Sequence, residues 1–240
     1  MFMYNYFNKL PGQFSTNDGT IDFYLRIRTL IDKKTVALDL GGGRGDWYNS
    51  KTNIKLRKSI QFLKKDVKQL IAVDVDPAVL KNKTSHKNLL IKNGIIPLKD
   101  NSIDLIICDW VFEHIENTQK FYLEINRVLK KNGSICSRTP HKYNYFSIIS
   151  NLLEGSSLKG WILKKAQPGR KKYFKSFYNL NTKNKIKKTF FNYSNNIFIF
   201  IPDPAYYFNS KFIFLFFRFV HIILPSFFSG ILISFSKKIK

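Results

Sequence analysis

Acidic residues are scarce in this chain, which has 16 aspartates and glutamates among 240 residues against 40 lysines and arginines. The formal net charge of +24 points to anionic partners such as nucleic acid, acidic lipid or acidic glycan. A second explanation stays open. Lys, Asn, Ile, Phe and Tyr are all abundant and have A/T-rich codons, so a compositional drift of the genome would supply much of the lysine excess.

Cysteine is also rare, and the two that occur, Cys108 and Cys136, lie in apolar runs of the kind that form strands. A free thiol in such a run behaves as a small hydrophobe. The chain has neither a disulfide framework nor a cysteine spacing typical of a metal site. Its first residues lack the basic and then apolar pattern of a signal peptide, so the expected location is the cytoplasm.

The stretch from Val36 to Trp47 organises the rest of the chain. Its first half is apolar and β-branched, as a buried parallel strand requires, and its second half is a turn with Gly41, Gly43 and Gly45 at alternate positions. Glycine allows such a turn to take left-handed angles and to approach a ligand closely. Asp39 stands two residues before the first glycine, so this strand end suits a small charged cofactor.

Two common phosphate-binding patterns are absent from this turn. A dinucleotide fingerprint needs glycine at the sixth position from Gly41, where this chain has Asp46, and the Gly-Lys-Ser/Thr ending of a phosphate loop is missing. An acid followed by Gly-x-Gly-x-Gly instead resembles the first motif of the class I S-adenosylmethionine-dependent methyltransferases. In that family the acid, here Asp39, accepts from the amino group of the cofactor, and the glycines pass under its methionine part. A glycine turn that merely links a strand to a helix is the alternative.

The end of strand two carries the next signal. This strand is predicted from Leu70 to Val75 and contains Asp74, whose carboxylate can accept hydrogen bonds from both hydroxyls of a bound ribose. An N-cap role is the competing explanation, and it suits Asp76 better than Asp74. The resemblance places Val75 at the cofactor as well.

Predicted strands three (Leu89 to Ile91) and four (Leu105 to Cys108) are also followed by residues that match the family's motifs. Asn93 and Gly94 after strand three match the position at which the family contacts the adenine, although Asn-Gly is also a common turn. Asp109 and Trp110 follow strand four, and the resemblance implies that they too lie at the cofactor. S-adenosylmethionine is therefore the implied cofactor.

The region after strand four resembles the methyltransferase type 11 branch more narrowly. That branch has Glu-His-Ile, a helix ending in Arg-Val-Leu-Lys before a Gly-Gly turn, and a strand ending in Thr-Pro. All three occur here between residues 113 and 140, except that Ser134 replaces the second glycine of the turn. The apolar periodicity predicts an amphipathic helix over residues 117–130, with Gly133 as its C-terminal cap.

Strands and helices alternate from residue 35 to residue 138, which predicts an α/β fold with a parallel sheet and helices on both faces. The resemblance, over about residues 36–143, implies a Rossmann-like class I methyltransferase fold. Its sheet is mostly parallel and seven-stranded, with an antiparallel C-terminal strand. We predict a single domain over residues 1–240, with a cofactor-binding core at 36–143 and acceptor-side helices, one of them at 158–166, and closing strands at 144–240.

Two histidines are candidates for a catalytic base. Methyl transfer is an in-line displacement, and an oxygen or nitrogen nucleophile also needs its proton removed. His114 follows strand four and His141 follows strand five, predicted from Ser134 to Ser137, although a structural role in fixing a loop is the alternative for each. Glu113 and His114 also resemble part of the metal site of ubiquinone-pathway O-methyltransferases. The further glutamate of that site is replaced here by Trp110, so we predict no metal.

The acceptor is not named by any motif. The segments 139–143, 170–172 and 178–182 resemble methyltransferases of bacterial surface-polysaccharide clusters, which favours a small-molecule, glycan or lipid-linked acceptor. The charge keeps an RNA methyltransferase as an alternative, although no separate RNA-binding module and no Asn/Asp-Pro-Pro-Tyr motif occur. A non-catalytic membrane-surface protein is a third possibility, which the glycine turn and Asp74 argue against.

An aromatic stretch near the C-terminus bears on the location. Phe212 to Leu224 is about 13 residues, or about 20 Å as a helix, which is too short for a bilayer core of about 30 Å. Burial against the sheet is one expectation. Aromatic residues occupy nearly every face of this helix, however, and the segment from Gly155 to Pro202 contains no acid. The second expectation is therefore peripheral association with the anionic inner face of a membrane.

Overall fold

A computed structural model of the chain describes residues 11–50, 53–153, 155–156, 174–204 and 210–239. The predicted helix over 158–166 and the basic run at 170–172 lie outside these ranges. The division into a cofactor-binding core and an acceptor side within a single domain stays a prediction.

One mixed sheet runs through the described residues. Its strands are β1 (Val36–Leu40), β2 (Gln69–Asp74), β3 (Lys87–Leu90), β4 (Ile103–Asp109), β5 (Leu129–Pro140), β6 (Tyr193–Phe200) and β7 (Ile231–Lys238). The spatial order is β3-β2-β1-β4-β5-β7-β6. The first five strands pair in parallel, whereas β7 pairs antiparallel with both β5 and β6. The strand order reverses at β1, so a crevice forms where β1 and β4 end, the usual ligand position in open α/β sheets.

Helices connect these strands. Among the described residues they are α1 (Gly19–Arg28), α2 (Asp46–Asn49), α3 (Lys55–Gln61), α4 (Thr118–Val128), α5 (Tyr145–Leu152), α6 (Lys183–Thr189), α7 (Lys211–Ile223) and α8 (Ser226–Ser229). Polar side chains cap several of them, since Asp18 accepts from two N–H groups of α1 and Asn117 from one of α4. Thr182 starts α6 in the same way, by accepting from the Lys185 N–H. Single 3-10 turns occur at Pro11–Gln13, Leu63–Lys65, Pro77–Lys81 and Phe112–His114.

Both faces of the sheet carry an apolar layer. Alternate residues of a strand point to opposite faces, so Leu38 joins one layer and Ala37 the other. The first layer includes Ile125 of α4 and Ile186 of α6. The second includes Phe23 and Ile27 of α1, together with residues of β1, β4, β5 and β7. Helix α1 covers the middle of this face, because it also buries Ile21 and Tyr24 there.

The predicted helix cap at Gly133 is wrong. Helix α4 ends at Val128, and β5 begins at the next residue. The register between β4 and β5 then skips residues 130–133, which bulge out of the ladder. A Cβ added to Gly133 would lie 2.9 Å from the Lys130 carbonyl oxygen. This glycine is therefore required by the bulge, because the backbone approaches itself too closely for a side chain.

Candidate functional site

The turn after β1 is a left-handed glycine loop. Gly41, Gly43 and Gly45 have φ values of 76°, 48° and 71°, which residues with a Cβ rarely adopt. A Cβ added to Gly41 would lie 2.6 Å from Val111. A Cβ added to Gly43 would have Asp74 Oδ2 as its nearest neighbour, at 3.9 Å. The main chain at Gly43 therefore faces open space beside Asp74, where a ligand can approach it.

Two backbone N–H groups orient the Asp74 carboxylate at the end of β2. Its Oδ2 accepts from the N–H of Gly43 at 3.0 Å, and its Oδ1 accepts from the N–H of Asp76 at 2.9 Å. A carboxylate offers about four acceptor positions, so capacity for further donors is left. Asp76 caps the Pro77–Lys81 turn by accepting from the Ala78 N–H. The cap role therefore belongs to Asp76, whereas the ribose contact of Asp74 stays a prediction. Val75 between them is 61% exposed, and its contact with the cofactor also stays a prediction.

Asp39 lies partly enclosed beside the glycine loop. Desolvation raises the pKa of its carboxyl to about 7, and the charges of Asp109 and Asp74 add to the rise. A donor or cation from a ligand would stabilise the ionised form, because burial has removed the water that normally does so. This acid therefore fits the amino group that the resemblance assigns to it.

Asn82 holds the glycine loop from the side, and the sequence did not reveal it. Its Nδ2 donates to the carbonyl oxygens of Gly42 and Gly43 at 3.0 and 3.1 Å. A Cβ added to Gly45 would lie 2.6 Å from its Oδ1. Asn82 is therefore a positioning residue for the loop. It lies in a polar stretch, residues 81–88, that has no periodicity and no motif.

Asn93 and Gly94 form a tight turn after β3. Both have positive φ, 53° and 75°, and the Ile95 N–H donates to the Lys92 carbonyl oxygen at 2.9 Å. The Asn93 carbonyl oxygen also accepts from Lys120 Nζ at 3.0 Å. The Asn-Gly turn, which was one of the two interpretations of the sequence, is thus observed. A contact of Asn93 and Gly94 with the cofactor stays a prediction.

A buried ion pair joins the carboxyl ends of β4 and β5. The Nε and Nη2 of Arg138 donate to the two carboxylate oxygens of Asp109 at 2.7 and 2.8 Å. The Tyr24 hydroxyl donates to the same carboxylate at 3.2 Å. Burial opposes the charge on Arg138, but Asp109 outweighs it, so the pKa of the guanidinium is raised. Asp109 therefore supports the strand ends, and its direct contact with the cofactor stays a prediction.

Trp110 extends from this ion pair to the surface. It has a φ of 59°, unusual for a bulky residue, and it is 42% exposed. Its N–H donates to the Arg138 carbonyl oxygen at 2.8 Å, and its ring lies 5.2 Å from the Arg138 guanidinium carbon. This cation–π contact helps to hold the strained backbone. The indole is thereby presented at the carboxyl edge of the sheet.

The two histidines lie in different surroundings. His114 Nδ1 donates to the Lys175 carbonyl oxygen at 2.8 Å, so the neutral ring carries its lone pair on Nε2. His141 is buried, and its Nδ1 accepts from the Tyr143 N–H at 3.2 Å. Burial lowers the pKa of His141, and the ring of Phe227 lies beside it. These contacts favour a loop-fixing role for His141, while both catalytic assignments stay predictions.

A buried polar network ties the segment 174–182 to the strand ends. Thr139 Oγ1 donates to Glu113 Oε2 at 2.8 Å and accepts from Asn181 Nδ2 at 2.7 Å. The Glu113 carbonyl oxygen accepts from the Phe177 N–H at 2.7 Å. Asn181 Oδ1 is buried without a hydrogen-bond partner in the part of the chain that the structure describes. In that same part, no three His, Cys, Asp or Glu side chains are grouped as metal ligands.

Known proteins are similar to part of this chain in sequence. Residues 57–137 match the family model described as a methyltransferase domain. An uncharacterised methyltransferase-like protein of Schizosaccharomyces pombe is 33% identical over 110 residues, which are 44% of this chain and 38% of that protein. The chain spans about two fifths of the length of the curated relatives it matches.

Solved structures agree on the fold. The YcgJ protein from Bacillus subtilis has a TM-score of 0.55 at 12% identity, covering 92% of this chain and 98% of that one. A SAM-dependent methyltransferase from Methanosarcina mazei has a TM-score of 0.54 at 11% identity, covering 89% and 96%. At such low identity these likenesses show the fold alone, and the predicted Rossmann-like class I methyltransferase fold is confirmed.

The family match over residues 57–137 and the fold agree with the motifs. Both make the chain similar to class I methyltransferases, as its motifs predicted. S-adenosylmethionine is the cofactor that this likeness implies.

Proposed function

We propose that this chain transfers a methyl group from S-adenosylmethionine to a small-molecule, glycan or lipid-linked acceptor. The observation that carries the proposal is the juxtaposition of three features at neighbouring strand ends. These are the enclosed carboxyl of Asp39, the open main chain at Gly43 and the spare acceptor capacity of Asp74. They suit, in turn, the amino group, the methionine part and the ribose of the cofactor.

The chemistry asks little of the protein beyond positioning. The cofactor supplies an already activated methyl group, so the protein contributes mainly by orienting two reactants, worth up to roughly 7–11 kcal/mol. Asp39 and Asp74 bind and orient, and Asn82 keeps the glycine loop in its open form. Trp110 covers the carboxyl edge from one side and limits access of water.

A proton acceptor is needed when the nucleophile is oxygen or nitrogen, and His114 is the better placed histidine. Its Nδ1–H is fixed by the Lys175 carbonyl, which orients the lone pair on Nε2 for this role. Replacing His114 by Gln should cut turnover by about 10²–10⁴-fold with cofactor affinity nearly unchanged. The same change at His141 serves as the comparison, and full turnover in both variants would remove both from the catalytic list.

Calorimetry with S-adenosylmethionine tests the proposal directly. We expect saturable binding by the full chain, with S-adenosylhomocysteine as a competitor. A wild-type protein that binds neither would overturn the enzyme assignment and would favour the non-catalytic alternative.

The acceptor class needs a separate experiment, because the net charge of +24 favours RNA as well as acidic glycans or lipids. Transfer of a labelled methyl group is compared among RNA, glycan and lipid fractions of cells. Label in the glycan or lipid fraction supports the proposal, and label in RNA alone supports the RNA alternative. We also propose that the protein acts in the cytoplasm and attaches peripherally to the inner face of the membrane, where anionic lipid would attract its basic segments.

A further inference from the structure

Helix α7 is firmly docked on one of its sides. Phe214 is 1% exposed, and the ring of Phe217 stacks on that of Tyr145 in α5, with centroids 5.3 Å apart and planes 6° apart. The Tyr145 hydroxyl donates to Nε2 of His221 at 2.9 Å, because Nδ1 of that ring donates to the Pro202 carbonyl oxygen at 3.0 Å. These contacts fix which face of the helix is turned outward.

The outward face of α7 is apolar instead of polar. Its large side chains recur every three or four residues along the helix, which puts them on one stripe. They are Phe212 (86% exposed), Leu215 (41%), Phe216 (62%), Phe219 (59%), Ile222 (76%) and Ile223 (58%). This set is called the α7 outer face below. A helix that covers a sheet normally turns a polar stripe to water, so a continuous apolar one marks an interaction surface.

The apolar surface continues onto α5. Ile149 and Leu152 are 45% and 78% exposed, and they lie four and seven residues after Tyr145, on the same stripe of α5. Since Tyr145 and Phe146 of α5 both contact Phe217 of α7, the two helices present their apolar side chains next to each other. The combined patch is wider than a single helix.

The charge of the chain favours an anionic bilayer over a second copy of the chain as the partner of this surface. From Gly155 to Lys240 the chain has a single acidic residue, Asp203, and the exposed face of α7 itself carries Lys211 and Arg218. A second copy of a chain with net charge +24 would be repelled, whereas an anionic bilayer attracts juxtamembrane lysines and arginines. The helix is also suited to lie in the plane of the headgroups. No helix in the described ranges is long and apolar enough to cross a membrane.

We propose that the α7 outer face, with Ile149 and Leu152 of α5, docks on an anionic lipid bilayer. In this arrangement α7 lies in the headgroup region, its phenylalanines reach the acyl boundary, and Arg218 extends its guanidinium to lipid phosphates. The helix connects β6 to β7 at the edge where β5 ends, and Phe227 in α8 contacts His141 there. The bilayer would thus meet the acceptor side of the sheet. The docking surface does not depend on the proposed function, whereas the suggestion that docking serves a lipid-linked acceptor rests on it.

Vesicle flotation with the full chain tests the docking surface. The vesicles contain phosphatidylglycerol with phosphatidylcholine, or phosphatidylcholine alone. We expect the wild type to float with the anionic vesicles at low salt and to be released as sodium chloride rises from about 0.05 M to about 0.5 M. The triple variant Phe212→Ser, Phe216→Ser and Ile222→Ser should bind these vesicles at least about tenfold more weakly.

A matched control removes comparable apolar area elsewhere. Leu25, Leu123 and Phe191 are 48%, 57% and 67% exposed and lie outside the α7 outer face. Changing these three to Ser should leave flotation unchanged. Arg218→Gln should weaken binding to anionic vesicles by up to about fivefold and should not affect neutral ones.

Several results would overturn the proposal. One is a wild type that stays in the soluble fraction with both vesicle types at low salt. Another is a triple variant that floats as well as the matched control. Sedimentation that shows a stable dimer, lost only in the triple variant, would assign the surface to a second copy. Calorimetry with S-adenosylmethionine in the absence of vesicles separates these outcomes from failure of the proposed function, since the triple variant should bind the cofactor like the wild type.

Discussion

Two surfaces at the carboxyl edge of the sheet have opposite chemistry. Around β1, β2 and β4 the acidic side chains are at least partly enclosed, and those of Asp74 and Asp109 are held by hydrogen bonds or an ion pair. On α7 the apolar side chains are exposed while the helix itself is firmly docked. Enclosed charge and exposed apolar surface are both unfavourable for folding, so each region is more informative about function than the core between them.

The largest effect is expected at the buried ion pair. Arg138→Ala would leave the Asp109 carboxylate buried without its partner and should lower the free energy of unfolding by about 3–5 kcal/mol. Denaturant unfolding measures it. The exposed pair of Arg26 with Asp22, at 2.9 Å, is the control. Arg26→Ala should cost less than about 1 kcal/mol, and equal losses at the two pairs would contradict this account.

The two sides of α7 should respond differently to the same substitution. Phe214 is 1% exposed, so Phe214→Ala should lower the free energy of unfolding by about 3–5 kcal/mol at most, through lost burial and a cavity. Phe212 is 86% exposed, so Phe212→Ala should change the free energy of unfolding by less than about 0.5 kcal/mol. Equal costs for the two changes would mean that the outward face of the helix has been assigned wrongly.

The cofactor site gives the next largest effect. Asp74→Ala should weaken S-adenosylmethionine binding by roughly 1.5–3 kcal/mol, or about 10-fold to 150-fold, because charged hydrogen bonds to the ribose are lost. Titration calorimetry gives the affinity. Asp76→Ala is the matched control, since this acid caps a turn two residues away and should leave affinity nearly unchanged. An Asp74→Ala protein that binds like the wild type would refute the ribose contact.

The smallest effect is a pH dependence set by Asp39. Because the pKa of this carboxyl is raised to about 7, it is mostly protonated at pH 6 and mostly ionised at pH 7.5. Binding of the cofactor amino group should therefore tighten by about 5-fold to 10-fold over that interval. Calorimetry at both pH values measures it. Asp39→Asn should bind the cofactor weakly, and its affinity should not tighten between the two pH values. If the variant showed the same pH dependence of affinity as the wild type, Asp39 would be excluded as the cause.

As the pH rises, the stability of the cofactor-free protein should fall, whereas cofactor binding should tighten. The folded state holds the Asp39 proton more tightly than the unfolded state, whose pKa is the ordinary one near 4. The stabilisation is complete below about pH 4 and is lost as the pH rises toward 7. Unfolding curves of the wild type and Asp39→Asn at pH 5 and pH 7.5 isolate this contribution, because the variant lacks it.

The part of the fold that depends on local patterns was predictable. The β1 strand and its glycine turn adjoin in sequence, and Asp39 and Asp74 each lie within the last residues of a strand, so periodicity and motif order located them. Asn82 was missed because its role depends on carbonyl groups 40 residues away in the chain. The orientation of α7 was open for a related reason. Aromatic residues occupy nearly all its faces, and only the contacts of Phe217 and His221 determine which face is buried.

The place of β7 in the sheet has a consequence for the order of folding. This strand is the last along the chain among those described, yet it pairs with β5 on one side and with β6 on the other. During synthesis at about 5–20 residues per second, the edge of β5 would stay unpaired for roughly 5–20 s before β7 is made. Until then the nascent chain presents an open strand edge, a site for chaperone binding or aggregation.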